Sequence, residues 1–181
     1  MATRISKSLV GKLAGVRLFL CDVDGVMTDG SVFMSPETEF KCFNIPDGLG
    51  LHLLQREGIK FGWISNRPSA VTTRRAAELK VDFLKQQGEV VSKPAAVEAI
   101  LAETGLTWED VCYLGDDIVD LGVLKRAGLA VAVANAGLEV KAQADYVTKA
   151  RGGQGAVREV VEMILKAQKK WNRLLKLYSG E

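Results

Sequence analysis

Leu18-Phe19-Leu20-Cys21-Asp22-Val23-Asp24-Gly25-Val26-Met27-Thr28-Asp29-Gly30 is the stretch on which the fold turns. The apolar run from Val16 to Cys21 stops abruptly at Asp22. A run of this kind fits a strand covered on both faces, as in a parallel sheet. Side chains two apart on a strand point to the same side. Asp22 and Asp24 therefore converge at the carboxyl end, where open α/β sheets bind ligands. Two carboxylates so placed repel and raise each other's pKa unless a cation lies between them. A divalent metal is the simplest remedy. A solvated loop that merely contains two aspartates accounts less well for an all-apolar strand feeding Asp-x-Asp-Gly.

Upstream, Ile5 to Leu13 reads as a short lead-in helix. Downstream, Ser31–Met34 and Phe40–Phe43 are β-prone runs around the polar, Pro36-containing turn, which predicts a hairpin over about 31–43. It follows the acidic pair directly, so it is placed to stand over it as a flap. Asp47 can cap a helix from Gly48 to Glu57 that Gly58 ends. A second apolar run, Ile59–Ile64, stops at Ser65-Asn66-Arg67-Pro68, and Pro68 suits the first turn of a helix over Ser69–Leu79. Val81–Leu84 is a short strand, and Ser92 precedes a helix from Lys93 or Pro94 to Glu103 that Gly105 terminates. A third apolar run, Val111–Leu114, stops at Gly115-Asp116-Asp117, and a helix over about Ile118–Ala127 follows, with Gly128 as its C′ residue. Leu129–Ala134 is a strand, Leu138–Ala144 a helix and Tyr146–Val147 a strand. After the glycine-rich loop Arg151–Gly155, Ala156 to about Leu177 reads as one long helix. Strands alternating with helices predict a doubly wound parallel α/β sheet with right-handed crossovers, in a single domain over 1–181.

The 181 residues, 48% hydrophobic and 25% charged, have an ordinary globular composition. A net charge of +2 points to neither a nucleic-acid nor a strongly acidic partner. Cys21, Cys42 and Cys112 are odd in number and well separated, which suits reduced thiols better than disulfides or a metal site. No apolar run approaches the ~20 residues of a membrane span. Met1–Gly15 is too polar for a secretory signal, so the expectation is a cytoplasmic protein without a membrane partner.

The three strand ends bring Asp22 and Asp24, Ser65 and Asn66, and Asp116, Asp117 and Asp120 to one edge, with Lys93 at a helix start beside them. Carboxylates, a small hydroxyl, an amide and one lysine suit phosphoryl transfer. One aspartate can be the nucleophile. A second, two residues on, can protonate the leaving alkoxide and then activate water. Mg²⁺ prefers a few carboxylates plus waters and phosphate oxygens. Ser65, the Asn66 N–H and Lys93 supply donors to the phosphoryl oxygens.

Asp22 to Gly30 resembles the first motif of the haloacid dehalogenase superfamily, and Ser65, Lys93 and Gly115-Asp116-Asp117-x-x-Asp120 follow in order as its remaining motifs. Within it, the chain is similar to the phosphatases of 3-deoxy-D-manno-octulosonate 8-phosphate, through Phe43-Asn44, Asp47-Gly48 and Gly152 to Glu159 as well. The resemblance implies a capless Mg²⁺-dependent phosphomonoesterase of lipopolysaccharide precursor synthesis, acting through an aspartyl-phosphate. It implies Asp22 as nucleophile and Asp24 as acid/base. The metal would be held by Asp22, the Asp24 carbonyl and Asp116, with Asp117 and Asp120 in support. Ser65, Asn66 and Lys93 would bind phosphate; Asn44, Asp47, Gly48, His52, Arg67 and Arg75 would meet the sugar acid. It further implies a homotetramer whose subunits close each other's sites, with the C-terminal loop and tail taking part.

Ser65-Asn66-Arg67 stands where relatives read Thr-Gly-Arg, Pro46 where an arginine precedes Asp-Gly, and His52 where another basic residue is common. The missing guanidinium removes a bidentate carboxylate contact, which keeps a nine-carbon 2-keto-3-deoxy sugar acid phosphate as the competing substrate. A phospho-receiver shares the acidic cluster, Ser/Thr and Lys but lacks an early Asp-x-Asp-Gly; a non-catalytic assembly module would not need every motif residue. The basic C-terminal helix, with Trp171, Leu174, Leu175 and Leu177, reads as solvated or subunit-packing.

Overall fold

Six parallel strands run side by side in the computed structural model, which describes residues 6–86 and 92–180. They are β1 (Leu18–Cys21), β4 (Lys60–Ser65), β5 (Phe83–Gln86), β6 (Val111–Gly115), β7 (Leu129–Ala132) and β8 (Tyr146–Val147), in the order β5-β4-β1-β6-β7-β8. Between β1 and β4 lies the expected hairpin, β2 (Phe33–Met34) paired antiparallel with β3 (Glu39–Phe40).

The register puts Cys21 opposite both Trp63 and Leu114. The chain leaves β1 toward β4 on one side and continues from β6 toward β7 on the other. The crevice between β1 and β6 is therefore the topological switch point, where ligands bind in such sheets. Right-handed crossovers moving in opposite directions put their helices on opposite faces. One face carries α2 (Ile45–Arg56) and α3 (Ala70–Leu79); against α2 pack α7 (Ala156–Ala167) and, through α7, α1 (Lys7–Gly15). The other carries α4 (Lys93–Thr104), α5 (Leu121–Leu124) and α6 (Leu138–Gln143). All four residues of β1 are fully buried between these layers, with Trp63 and Tyr113 the largest side chains of the core. Burial pushes the Cys21 and Cys112 thiols up, so they are inert; Cys42 is exposed. Among the described residues no helix is long and apolar enough to cross a membrane.

Several expected boundaries move. Ile5 lies outside the described residues, and the lead-in helix begins at Lys7, capped by the Ser6 hydroxyl. The helix after the hairpin starts at Ile45, and Asn44, not Asp47, caps it. Pro68 precedes the cap, Ser69, of the next helix. Ser92 caps α4 without a side-chain hydrogen bond. The helix expected over 118–127 is a 3-10 turn, Ile118–Asp120, followed by the four residues of α5. Gly128 is no left-handed C′ residue; its N–H donates to the Trp108 carbonyl at 2.8 Å. The long C-terminal helix is two, α7 and α8 (Trp171–Ser179). Lys169 takes a left-handed conformation (φ 58°), and the Lys170 N–H returns to the Leu165 carbonyl at 2.8 Å, a Schellman-type stop.

Candidate active site

β1 delivers Asp22 to the crevice with its backbone N–H bonded to the Leu114 carbonyl of β6, at 3.1 Å. One Asp22 oxygen accepts the Val23 N–H at 2.6 Å, and the other lies 2.8 Å from the Lys93 ammonium. The chain then coils tightly: the Met27 and Thr28 N–H groups both return to the Val23 carbonyl. Gly25 makes the coil possible. Its φ is +97°, and a Cβ there would lie 2.0 Å from an Asp116 oxygen. Asp116, one residue past β6, is thus pressed against the loop that carries the acidic pair.

Lys93, at the first position of α4, is buried between two carboxylates, 2.8 Å from Asp22 and 2.6 Å from Asp120. Asp120 is fully buried and fully used. One oxygen takes Lys93 and the Tyr113 hydroxyl (2.6 Å); the other takes the N–H groups of Asp116 (3.0 Å) and Asp117 (3.3 Å). It holds the loop that presents Asp116. Asp117 points outward and caps the 3-10 turn through the Ile118 N–H. Carboxylate oxygens of Asp22, Asp116 and Asp120 lie within 4.8 Å of one another. Only Asp116 among them keeps a buried oxygen, Oδ1, with no hydrogen-bond partner.

Burial, then the charges of Asp22 and Asp120, push the Asp116 carboxyl up to about 7. Asp22 is raised by burial, against which Lys93 pulls it down. Burial alone would lower the Lys93 ammonium; the charges of Asp120 and Asp22 overcome this and hold it raised. Two crowded carboxylates, one with an orphaned oxygen, fit a divalent cation, which would offset both the repulsion and the lost hydration. The Asp24 side chain is not in this cluster. Its carboxylate meets Lys41, whose Nζ lies 2.7 Å from one oxygen and donates to the other at 3.0 Å.

Ser65 ends β4 buried, its hydroxyl donating to the Arg67 carbonyl and accepting the Arg67 N–H, both at 3.1 Å. Asn66, between them, is exposed. The Arg67 guanidinium meets Glu39 of the hairpin, which also accepts the Ser69 hydroxyl. The residues expected to meet a sugar acid separate into two groups. Gly48 abuts Arg75, where a Cβ would come within 2.8 Å of the guanidinium, and Arg75 lies over the Phe43 ring at 5.9 Å and pairs with Glu78. Its neighbour Arg74 is exposed, as is His52 on α2.

Asn44 and Asp47 do something else. The Asn44 side chain accepts the Asp47 N–H at 3.1 Å, capping α2. Asp47 is fully buried, and its oxygens accept the N–H groups of Arg158 (2.7 Å) and Gly155 (3.2 Å) at the start of α7. Burial raises its carboxyl, against the lowering pull of those N–H groups. A glycine-rich loop before a helix suits an anion, and here that anion is the chain's own carboxylate. In this structure both Asp47 oxygens serve as an internal cap of α7. The loop itself is clamped to the site: the Gly152 N–H donates to Asn135, and the Gly153 N–H to the Val26 carbonyl at 2.9 Å.

Lys41, Thr72, Glu39 and Tyr113 carry no local sequence signal of these contacts. Glu39 and Lys41 alternate across Phe40, so a strand places them on one side, but nothing local says that this side faces the acidic pair. Tyr113 sits inside an apolar run that conceals its hydroxyl.

Residues 55–160 match the family model described as haloacid dehalogenase-like hydrolase. The chain is 40% identical over 167 residues to the 3-deoxy-D-manno-octulosonate 8-phosphate phosphatase KdsC of Yersinia pestis, covering 92% of this chain and 88% of that one. Its fold superposes on a probable YrbI family phosphatase of Pseudomonas syringae with a TM-score of 0.91 at 40% identity, over 96% and 98% of the two chains. It also superposes on the 3-deoxy-D-manno-octulosonate 8-phosphate phosphatase of Moraxella catarrhalis, solved with magnesium, phosphate and the sugar acid. There the TM-score is 0.92 at 36% identity, over 96% of this chain and 99% of that one.

Proposed function

The chain belongs to the haloacid dehalogenase-like hydrolases, and on that premise we propose that it is a Mg²⁺-dependent phosphatase of 3-deoxy-D-manno-octulosonate 8-phosphate. The observation that carries this reading is Asp22, buried at the switch point between Lys93 and Asp116, with Asp24 two residues on. Asp22 attacks the phosphorus, and the bond from phosphorus to the sugar oxygen breaks. Asp24 gives its proton to the departing alkoxide. Asp24 then takes a proton from water, which attacks the aspartyl-phosphate; inorganic phosphate leaves and Asp22 is regenerated. Lys93, Ser65 and the Asn66 N–H hold the phosphoryl oxygens. Asp22, Asp116 and the Asp24 carbonyl would hold Mg²⁺, whose charge offsets the repulsion between the nucleophile and the phosphoryl dianion. Asp120 fixes Lys93 and the Asp116 loop, and Asp117 fixes the turn after it.

Arg67, Arg75, Gly48 and His52 form the sugar-acid side of the site. Pro46 supports a second reading, a nine-carbon 2-keto-3-deoxy sugar acid phosphate. It occupies the first turn of α2, where proline fits well, and supplies no guanidinium. The hairpin leaves Phe33, Met34 and Phe40 at 68%, 75% and 62% exposure. Exposed apolar side chains of this kind support burial of the hairpin in a subunit interface, as the homotetramer reading requires. The reading is of a single-domain cytoplasmic enzyme of lipopolysaccharide precursor synthesis.

Phosphate release from a panel of sugar phosphates, with and without Mg²⁺, tests the assignment. The eight-carbon acid should be turned over fastest and only with the metal. Faster release from the nine-carbon acid selects the second reading, and no release from any 2-keto-3-deoxy sugar acid phosphate ends both.

A further inference from the structure

We infer that Lys41 positions the Asp24 carboxylate for proton transfer, which makes the hairpin part of the catalytic apparatus as well as its cover. The Lys41 side chain is wholly inaccessible. Its ammonium meets both Asp24 oxygens, at 2.7 and 3.0 Å, and donates to the Thr72 hydroxyl at 3.0 Å. Thr72 is itself buried and fixed in the first turn of α3, its N–H bonded to the Ser69 hydroxyl. Taking an ammonium out of water is costly and is tolerated where partners replace the lost hydration. Here those partners are one carboxylate and one hydroxyl, from two different elements.

Glu39, two residues earlier in β3, grips Arg67 and Ser69 at the entrance to α3. The returning arm of the hairpin is therefore latched twice, and the second latch ends on Asp24. The consequence is geometric. Asp24 lies outside the cluster of Asp22, Asp116 and Asp120, and an untethered carboxylate two residues from Asp22 would be free to turn toward any cation held by Asp22 and Asp116. With Lys41 in place, the side chain stays on the hairpin's side of the site.

The inference rests on the reading of Asp24 as the acid, and leaving-group dependence separates the two. A sugar alkoxide needs a proton to depart, whereas p-nitrophenolate does not. With Mg²⁺ present, kcat/KM is measured for the sugar acid phosphate and for p-nitrophenyl phosphate. Lys41→Met should lower the first about 10- to 100-fold and the second no more than about 3-fold, since a displaced acid costs only reactions that need the acid. Asp24→Asn should show the same bias with a larger loss. Thr72→Val, which keeps both charges, should show it with a smaller loss, and it carries the test if the methionine variant does not fold. Equal losses on both esters for Lys41→Met and Thr72→Val, beside a biased Asp24→Asn, would reduce Lys41 to a structural role. An unbiased Asp24→Asn would remove Asp24 as the acid, and the inference with it.

Discussion

Asp47 and Asp116 are two carboxylates placed deep beside glycine-containing loops, and they meet opposite ends. Asp47 gives its oxygens to the N–H groups of Gly155 and Arg158, and the start of α7 closes over it. Asp116 is pressed against Gly25 with one oxygen left without a partner, among charges of its own sign. Native interiors rarely leave such a group unpaired, and each exception asks for a reason. At the start of α7 the chain satisfies itself. At the carboxyl edge of the sheet it holds a need open, and that need marks where a cation belongs.

The largest loss is expected at Asp22. Asp22→Asn should lower kcat by about 10⁴-fold or more, because the nucleophile is gone, while the circular dichroism spectrum stays unchanged. Retained turnover would remove the covalent mechanism. Asp116→Asn should lose about 10²- to 10³-fold in kcat at fixed Mg²⁺, and the metal-free protein should melt no earlier than the wild type, since a crowded charge has been removed. Asp47→Ala should do the reverse. It strips two backbone N–H groups of their acceptor and should cost about 2–3 kcal/mol in urea unfolding, with kcat falling far less than in Asp116→Asn. If Asp47→Ala melts like the wild type, the helix cap is dispensable and the contrast fails.

The smallest effect is a pH dependence. The Asp116 carboxyl, raised to about 7, lies above its usual range, so the folded metal-free protein holds a proton that the unfolded chain has lost. The stability tied to that proton is fully present below the usual carboxylate range and is lost as pH rises through about 7. Mg²⁺ must displace the proton. Thermal melts should therefore show Mg²⁺ stabilising the protein by a few °C more at about pH 8 than at about pH 5.5. Asp116→Asn should flatten the difference, and an equal Mg²⁺ effect at both pH values would refute it.

The strand ends were legible because an apolar run that stops at a polar cluster is a local signal, and Asp22, Ser65 and Asp116 each close one. The break between α7 and α8 was not. Ile164, Leu165, Trp171 and Leu174 keep the helical spacing across it, and a lysine in the left-handed region announces nothing in the way a glycine does. The N–H partners of Asp47 lie more than a hundred residues away, so no local signal announces them. Lys41 was hidden for the same reason, its partners being set by how the hairpin folds back. The departure at Pro46 was legible as a change, and its local accommodation in α2 is visible only in the structure.

Gly152 is so tightly nested that a Cβ would lie 1.7 Å from the Gly25 carbonyl oxygen, and the Gly153 N–H closes on Val26 next door. A loop from late in the chain is thus the keystone of one set early in it. Contacts of such long separation demand the costliest loop closure and form late in folding. A growing chain would hold its acidic residues in order long before they are arranged to work, because the piece that sets them emerges from the ribosome after everything else at the site. On refolding from urea, recovery of turnover should lag recovery of helical ellipticity; simultaneous recovery would show that the nucleophile loop sets itself.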